Sequence, residues 1–147
     1  MEVSGEIMVE RPIDEVFSAW AALERAHEFA DPVIERVKET DGPLGTGTRF
    51  HAVDQWPGRK VEFTVEVTAY EPPNRMAATW SEPMTGGWDA IFEEVDGGTE
   101  LRFESTMSPS GLMGLASPLL KPWVNRQTKS FLASFKEWVE SGQAVTG

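Results

Sequence analysis

Residues 61–69 read Val61-Glu62-Phe63-Thr64-Val65-Glu66-Val67-Thr68-Ala69. Apolar and polar side chains alternate without a break, which is the signature of a strand with one face buried and one face in water. The tract is bounded by Gln55-Trp56-Pro57-Gly58 on one side and Glu71-Pro72-Pro73-Asn74 on the other, both turn compositions. A strand over residues 60–70 spans about 36 Å. It needs neighbours on both sides to satisfy its backbone.

The flanking sequence supplies them. Val33 to Lys38, Thr48 to Asp54, a strand through Met76, Ala78 and Trp80, one through Trp88, Ala90 and Phe92, and one through Leu101, Phe103, Ser105 and Met107 all carry period two. Short turns join them: Gly42-Pro43-Leu44-Gly45-Thr46-Gly47, a loop from Glu82 to Gly86, and Asp96-Gly97-Gly98. Hairpin succession predicts an antiparallel sheet. Residues 2–9 predict a further strand. Arg11-Pro12-Ile13-Asp14 opens a helix that buries Val16, Phe17, Trp20 and Leu23, and a second short helix covers Glu24 to Ala30 and stops before Pro32. After a loop at Ser108 to Gly114 the period returns to 3.6 from about Pro118 to Ser141, with Gly142 as the stop. That helix is also about 36 Å long. The expectation is an α+β fold: a seven-stranded antiparallel curved sheet wrapped around a long C-terminal helix, with two short helices between the first two strands, all in one domain over 1–147.

Composition excludes several classes of function. The 147 residues carry no cysteine and two histidines, His27 and His51, so disulfides, thiolate metal sites and an all-histidine metal site are out. No cofactor is expected. The formal net charge of −11 repels phosphate backbones, and the Lys and Arg residues are scattered, so nucleic acid is not an expected partner. No run approaches the ~20 apolar residues of a membrane span, and the N-terminus lacks the pattern of a secretory signal, so a cytoplasmic protein is expected. Its oligomeric state is left as monomer or homodimer.

On a helical wheel Leu120, Val124, Phe131, Phe135 and Trp138 gather on one side, with Asn125, Lys129, Lys136 and Glu140 opposite. Gln127 falls inside the apolar side and Trp123 on its flank. A glutamine there either bonds a backbone carbonyl or a buried water, or faces a hollow and orients a ligand. The matching sheet face carries Phe50, Phe63, Met76, Trp80, Trp88, Phe103 and Met107, with the small residues Ala52, Ala78, Ala90 and Ser105 between them. These side chains either fill the interior solidly or leave a gap beside the helix.

Other candidates are weaker. His27 is followed by Asp31 where a zinc helix needs a second histidine, and a strand follows the glycines at 42, 45 and 47 where a dinucleotide fingerprint needs a helix. His51 takes the outer parity. Asp54 shares parity with Phe50 and Ala52, so it is the one inward carboxylate available as general acid or base, unless it only forms the adjacent turn. Asp89, Glu93, Arg102 and Glu104 read as solvated cross-strand charges. The segment Pro109-Ser110-Gly111-Leu112-Met113-Gly114 reads equally as a gate or a plain connector.

The tracts Arg11-Pro12-Ile13-Asp14-Glu15-Val16-Phe17, Gly42 to Phe50, Phe63 to Arg75, Gly98-Thr99-Glu100-Leu101-Arg102-Phe103 and Phe131 to Glu140 resemble the START-like, birch-pollen-allergen-like helix-grip superfamily (SRPBCC), and within it the polyketide cyclase/dehydrase family. The resemblance implies an apolar cavity between sheet and final helix that holds a hydrophobic small molecule of lipid, polyketide or aromatic type. Gln127 and Ser105 would orient the ligand. Phe50, Phe63, Met76, Trp80, Trp88, Phe103, Met107, Leu120, Trp123 and Val124 would supply contact area. Two alternatives remain: a cyclase or dehydratase that uses Asp54, and a protein-interaction module whose acidic surface attracts a basic partner.

Overall fold

A computed structural model describes residues 2–82, 84–108 and 111–145, with side chains for all of these except 111–117 and 120. The elements run in the order β1 (Glu2–Val9), α1 (Ile13–Ala21), a 3₁₀ turn (Leu23–Glu28), β2 (Val33–Lys38), β3 (Arg49–Trp56), β4 (Arg59–Glu71), β5 (Arg75–Trp80), β6 (Thr85–Val95), β7 (Gly98–Ser108) and α2 (Gly111–Glu140). The strands form one seven-stranded antiparallel sheet in the order β1-β7-β6-β5-β4-β3-β2. Successive hairpins explain five of the neighbours. The sixth, β1 beside β7, arises because α1 and the 3₁₀ turn carry the chain from one edge of the sheet to the other.

Several boundaries differ from those read in the sequence; β6, for one, begins at Thr85, inside the loop expected from Glu82 to Gly86. Helix α2 begins at Gly111, about two turns earlier than the apolar period, so Gly111 to Gly114 are helical rather than loop; residues 109 and 110 of the expected gate lie outside the described residues. The extra turns were hidden because Pro118, read as the start of the helix, stands inside it, where it withdraws an N–H from the backbone ladder. Strand β3 continues through Gln55 and Trp56, which leaves Pro57-Gly58 as the turn, Gly58 taking φ +80°. The second short helix is a 3₁₀ turn.

Strand β2 carries a bulge between Val33 and Glu35. A bulge opposes two residues to one and reverses the facing of the residues beyond it. Val33 opposite Asp54 and Arg36 opposite Ala52 therefore both face inward, while Ile34 and Val37 are 40% and 47% exposed.

Helix α2 is gripped unevenly. In its second half Leu132, Phe135, Trp138 and Val139 are all buried, packed with Val9, Val16, Phe17, Met76 and Phe92. Close approach is possible because β1 has Gly5 where the helix crosses: a Cβ there would lie 2.8 Å from Leu132 Cδ1. Upstream of these, Trp123, Val124, Gln127 and Thr128 are only half-buried and Leu119 is 82% exposed. The far end is pinned. The Glu140 carboxylate accepts the Glu10 backbone N–H at 2.8 Å and Lys136 Nζ at 2.7 Å. Arg11 donates to the Glu140 carbonyl, and Arg25 packs over the Trp138 ring and donates to the Ala144 carbonyl at 2.7 Å. Gly142, at φ +86°, stops the helix.

The two halves of α2 should respond differently to truncation. Phe135→Ala is expected to cost about 3–5 kcal/mol and Val124→Ala about 1 kcal/mol or less, read from urea unfolding at constant m. A second expectation concerns acid. The Glu10 N–H, and after it Lys136, hold the Glu140 carboxyl below its ordinary value. A lowered folded value means the clamp contributes fully above the unfolded glutamate range and fades as pH falls through the folded value. Glu140→Gln should therefore lower the unfolding midpoint at pH 7, and the difference from the wild type should shrink as the pH falls below the ordinary glutamate range.

Candidate functional site

Between the middle of α2 and the sheet lies a cavity of about 410 Å³, within the range of small-molecule sites. Its roof is Trp123, Val124, Gln127, Thr128 and Phe131 of α2. The sheet contributes Val61, Phe63 and Val65 from β4, Trp80 from β5, Trp88 from β6, and Phe103, Ser105 and Met107 from β7. The α1–3₁₀ segment closes one side with Trp20, Leu23, Ala26 and Phe29. Five of the six tryptophans, all but Trp138, border it.

Trp20 is the spacer that keeps this volume open. Its ring lies 5.6 Å and 5.2 Å from Phe131 and Phe135 of α2, and 5.5, 6.0 and 5.6 Å from Trp88, Phe92 and Phe103 of the sheet, all edge-on. Edge-to-face rings at these distances attract by more than their buried area. The indole is thus wedged between helix and sheet at the boundary of the solid and hollow halves. Its Nε1–H is buried without a hydrogen-bond partner among the described residues, a cost the surrounding rings offset. Trp80 is placed by a different device. It pairs with Gly86 of β6, and a Cβ on Gly86 would sit 2.7 Å from the indole Cζ2; the missing side chain lets the ring lie across the neighbouring strand.

One end of the cavity is charged. Arg36 forks onto Asp54, Nη1 to Oδ1 at 2.6 Å and Nη2 to Oδ2 at 3.3 Å, with each side chain 14% exposed. The guanidinium also stands 5.5 Å from the centre of the Phe63 ring and donates to the Glu35 carbonyl at 3.0 Å. Trp56, Pro57 and Arg59 of the β3–β4 hairpin complete this end, the last two exposed.

Of the residues expected at the site, Phe63, Trp80, Trp88, Phe103 and Met107 border the cavity, as do Ser105, Trp123, Val124, Gln127 and Asp54. Phe50 and Met76 do not. They are 2% and 0% exposed in the solid core with Phe135 and Trp138, because parity fixes which face a residue takes and says nothing about which end of the strand is filled. The Leu120 side chain lies outside the described residues. Gln127 has no hydrogen-bond partner among the described residues, whereas the Ser105 hydroxyl already donates to the Gly87 carbonyl at 3.2 Å. Asp54 faces inward, but both of its oxygens are engaged by Arg36. His51 faces the outer side beside Glu62, and Asp89 and Glu93 are paired there with Arg75 and Arg102. No cluster of metal-ligating side chains occurs among the described residues.

Sequence reading missed Arg36, Arg59, Trp56 and the wall from Trp20 to Phe29. The bulge hid the facing of Arg36. The apolar spacing of Leu23, Ala26 and Phe29 was the available signal for the side wall. The ion pair yields a test: Asp54→Ala leaves a buried guanidinium uncompensated and is expected to cost about 2–4 kcal/mol, while the double variant Arg36→Met, Asp54→Leu recovers most of that loss in thermal unfolding.

No helix among the described residues is long and apolar enough to cross a membrane. No curated protein matches the sequence. Solved structures resemble the fold. TTHA0849 from Thermus thermophilus superposes with a TM-score of 0.82 at 20% identity, covering 100% of both chains. The Zhui aromatase/cyclase from Streptomyces sp. R1128 gives 0.78 at 16% identity, covering 100% of this chain and 98% of the other. Ara h 8.0201 gives 0.68 at 14%, covering 96% and 98%. At these identities the likeness is one of fold. The helix-grip architecture is shared by all three, and the family model described as polyketide cyclase / dehydrase and lipid transport matches residues 1–140, so the chain belongs to that family.

Proposed function

We propose that the protein binds a hydrophobic small molecule, of lipid, polyketide or aromatic type, in the cavity between the sheet and α2. The observation that carries this reading is the pairing of an aromatic-walled hollow with an unpartnered amide. Rings surround about 410 Å³ of space, and the Gln127 side chain borders it with no partner among the described residues. Apolar burial at about 25 cal/mol per Å² supplies affinity, and a single amide fixes the orientation of a polar group on the ligand. Stacking on Trp80, Trp88 and Trp123 favours flat rings.

The test is direct because the walls fluoresce. Tryptophan emission titrated with 1-naphthol, a flavonoid and 1-decanol should show saturable change at one ligand per chain for at least one of them. Gln127→Leu should weaken 1-naphthol on the order of threefold to tenfold while leaving the unfolding midpoint unchanged or raised. Flat titrations with all three probes overturn the binding reading.

A second reading, cyclase or dehydratase chemistry in the same hollow, is favoured by the presence of Asp54 in the wall. The cavity would fold a reactive chain so that proximity supplies most of the rate. Asp54 would have to exchange its hold on Arg36 for the substrate. If Asp54→Asn leaves the turnover of a cyclisable poly-β-ketone mimic unchanged, that carboxylate takes no part.

A further inference from the structure

We infer that the occupant is an anionic amphipath, its acid group held at the mouth against Arg59 and its apolar body on the rings beneath. This rests on the cavity being a ligand site and adds the charge of the ligand. In β4 the cavity-facing residues are Val61, Phe63 and Val65, and the intervening Lys60, Glu62 and Thr64 are exposed on the other face. Period two puts Arg59 on the inner face, and it borders the cavity. The same holds for Asp54 and Trp56 on β3, since Asp54 stands opposite Val61 and Trp56 opposite Arg59. The β2 bulge turns Arg36 inward too. Three charged side chains therefore occupy positions that a sheet packed on an oily interior normally gives to apolar residues, and all three gather at one end.

Their charges do not balance. Arg36 and Asp54 neutralise each other through two hydrogen bonds. Arg59 stands diagonal to Asp54 across the β3–β4 pair, a separation of roughly 7–8 Å between such positions, and forms no ion pair with a carboxylate among the described residues. The chain as a whole carries −11, so acidic groups are plentiful, yet none of those described is placed on this cation. An uncompensated guanidinium at the rim of an apolar hollow favours a carboxylate or phosphate monoester head over a neutral or cationic one.

Three ten-carbon probes test this: decanoate, 1-decanol and decyltrimethylammonium, titrated at pH 8 and low salt by tryptophan emission. The expected result is that decanoate binds on the order of five- to tenfold tighter than decanol and that the ammonium compound binds weakest. Arg59→Gln should bring the decanoate-to-decanol ratio to about one, Arg59→Lys should keep part of it, and 0.5 M salt should erode it. Decyl phosphate in place of decanoate distinguishes a phosphate from a carboxylate preference. Equal affinities for decanoate and decanol in the unaltered protein, or a preference that survives Arg59→Gln, overturn the charge assignment and leave the cavity reading standing. Absence of binding by any ten-carbon probe, together with flat titrations by 1-naphthol and the flavonoid, removes both.

Discussion

One indole sets the spacing of the molecule. Trp20 comes from the first helix, yet its contacts are with the last helix on one side and strands β6 and β7 on the other. A curved sheet and an amphipathic helix would otherwise close together along their whole length, since each gains by burying apolar surface. The wedge prevents closure on one side. Where α2 passes Phe135 and Trp138 the interior is solid; where it passes Gln127 and Trp123 the same two surfaces stand apart. The rings that hold them apart are also the rings a ligand would meet.

Much of the fold was legible because it depends on short-range patterning. Period two in residues 61–69 and its neighbours gave the strands, and β1 and β2 fall on the residues read for them. What the patterns could not carry was position along an element. Phe50 and Phe63 look alike in sequence, yet one is core and the other wall, a difference set by where the distant helix is gripped. Arg36 was lost to a single inserted residue in β2, whose facing depends on its pairing with β3. The first turns of α2 were lost to Pro118, which propensity reads as a breaker. The polar end of the cavity was half seen: Asp54 was found by parity, but its partner was not, and the partner changes what the carboxylate is free to do.

The charged end and the aromatic interior form one gradient. From Arg59 and Pro57 at the exposed hairpin, through the Arg36–Asp54 fork, to Phe103 and Phe131, the surroundings pass from water to rings. A molecule with a polar head and an oily body would experience that gradient as orientation. Gln127 lies on the roof of the apolar stretch and would read a second polar group further in.

The uneven grip on α2 has an evolutionary consequence. The solid core and the wall of the hollow overlap at Trp20, Leu23, Phe29, Trp88, Phe103 and Phe131, whereas Phe135, Trp138 and Val139 belong to the core alone and Trp123, Val124 and Gln127 to the wall alone. Substitutions at the wall-only positions of α2 then cost little stability, and the molecule can explore new tastes there without risking collapse. Chains sharing only 14–20% of their residues keep this architecture. A helix gripped at one end leaves the other free to drift in sequence.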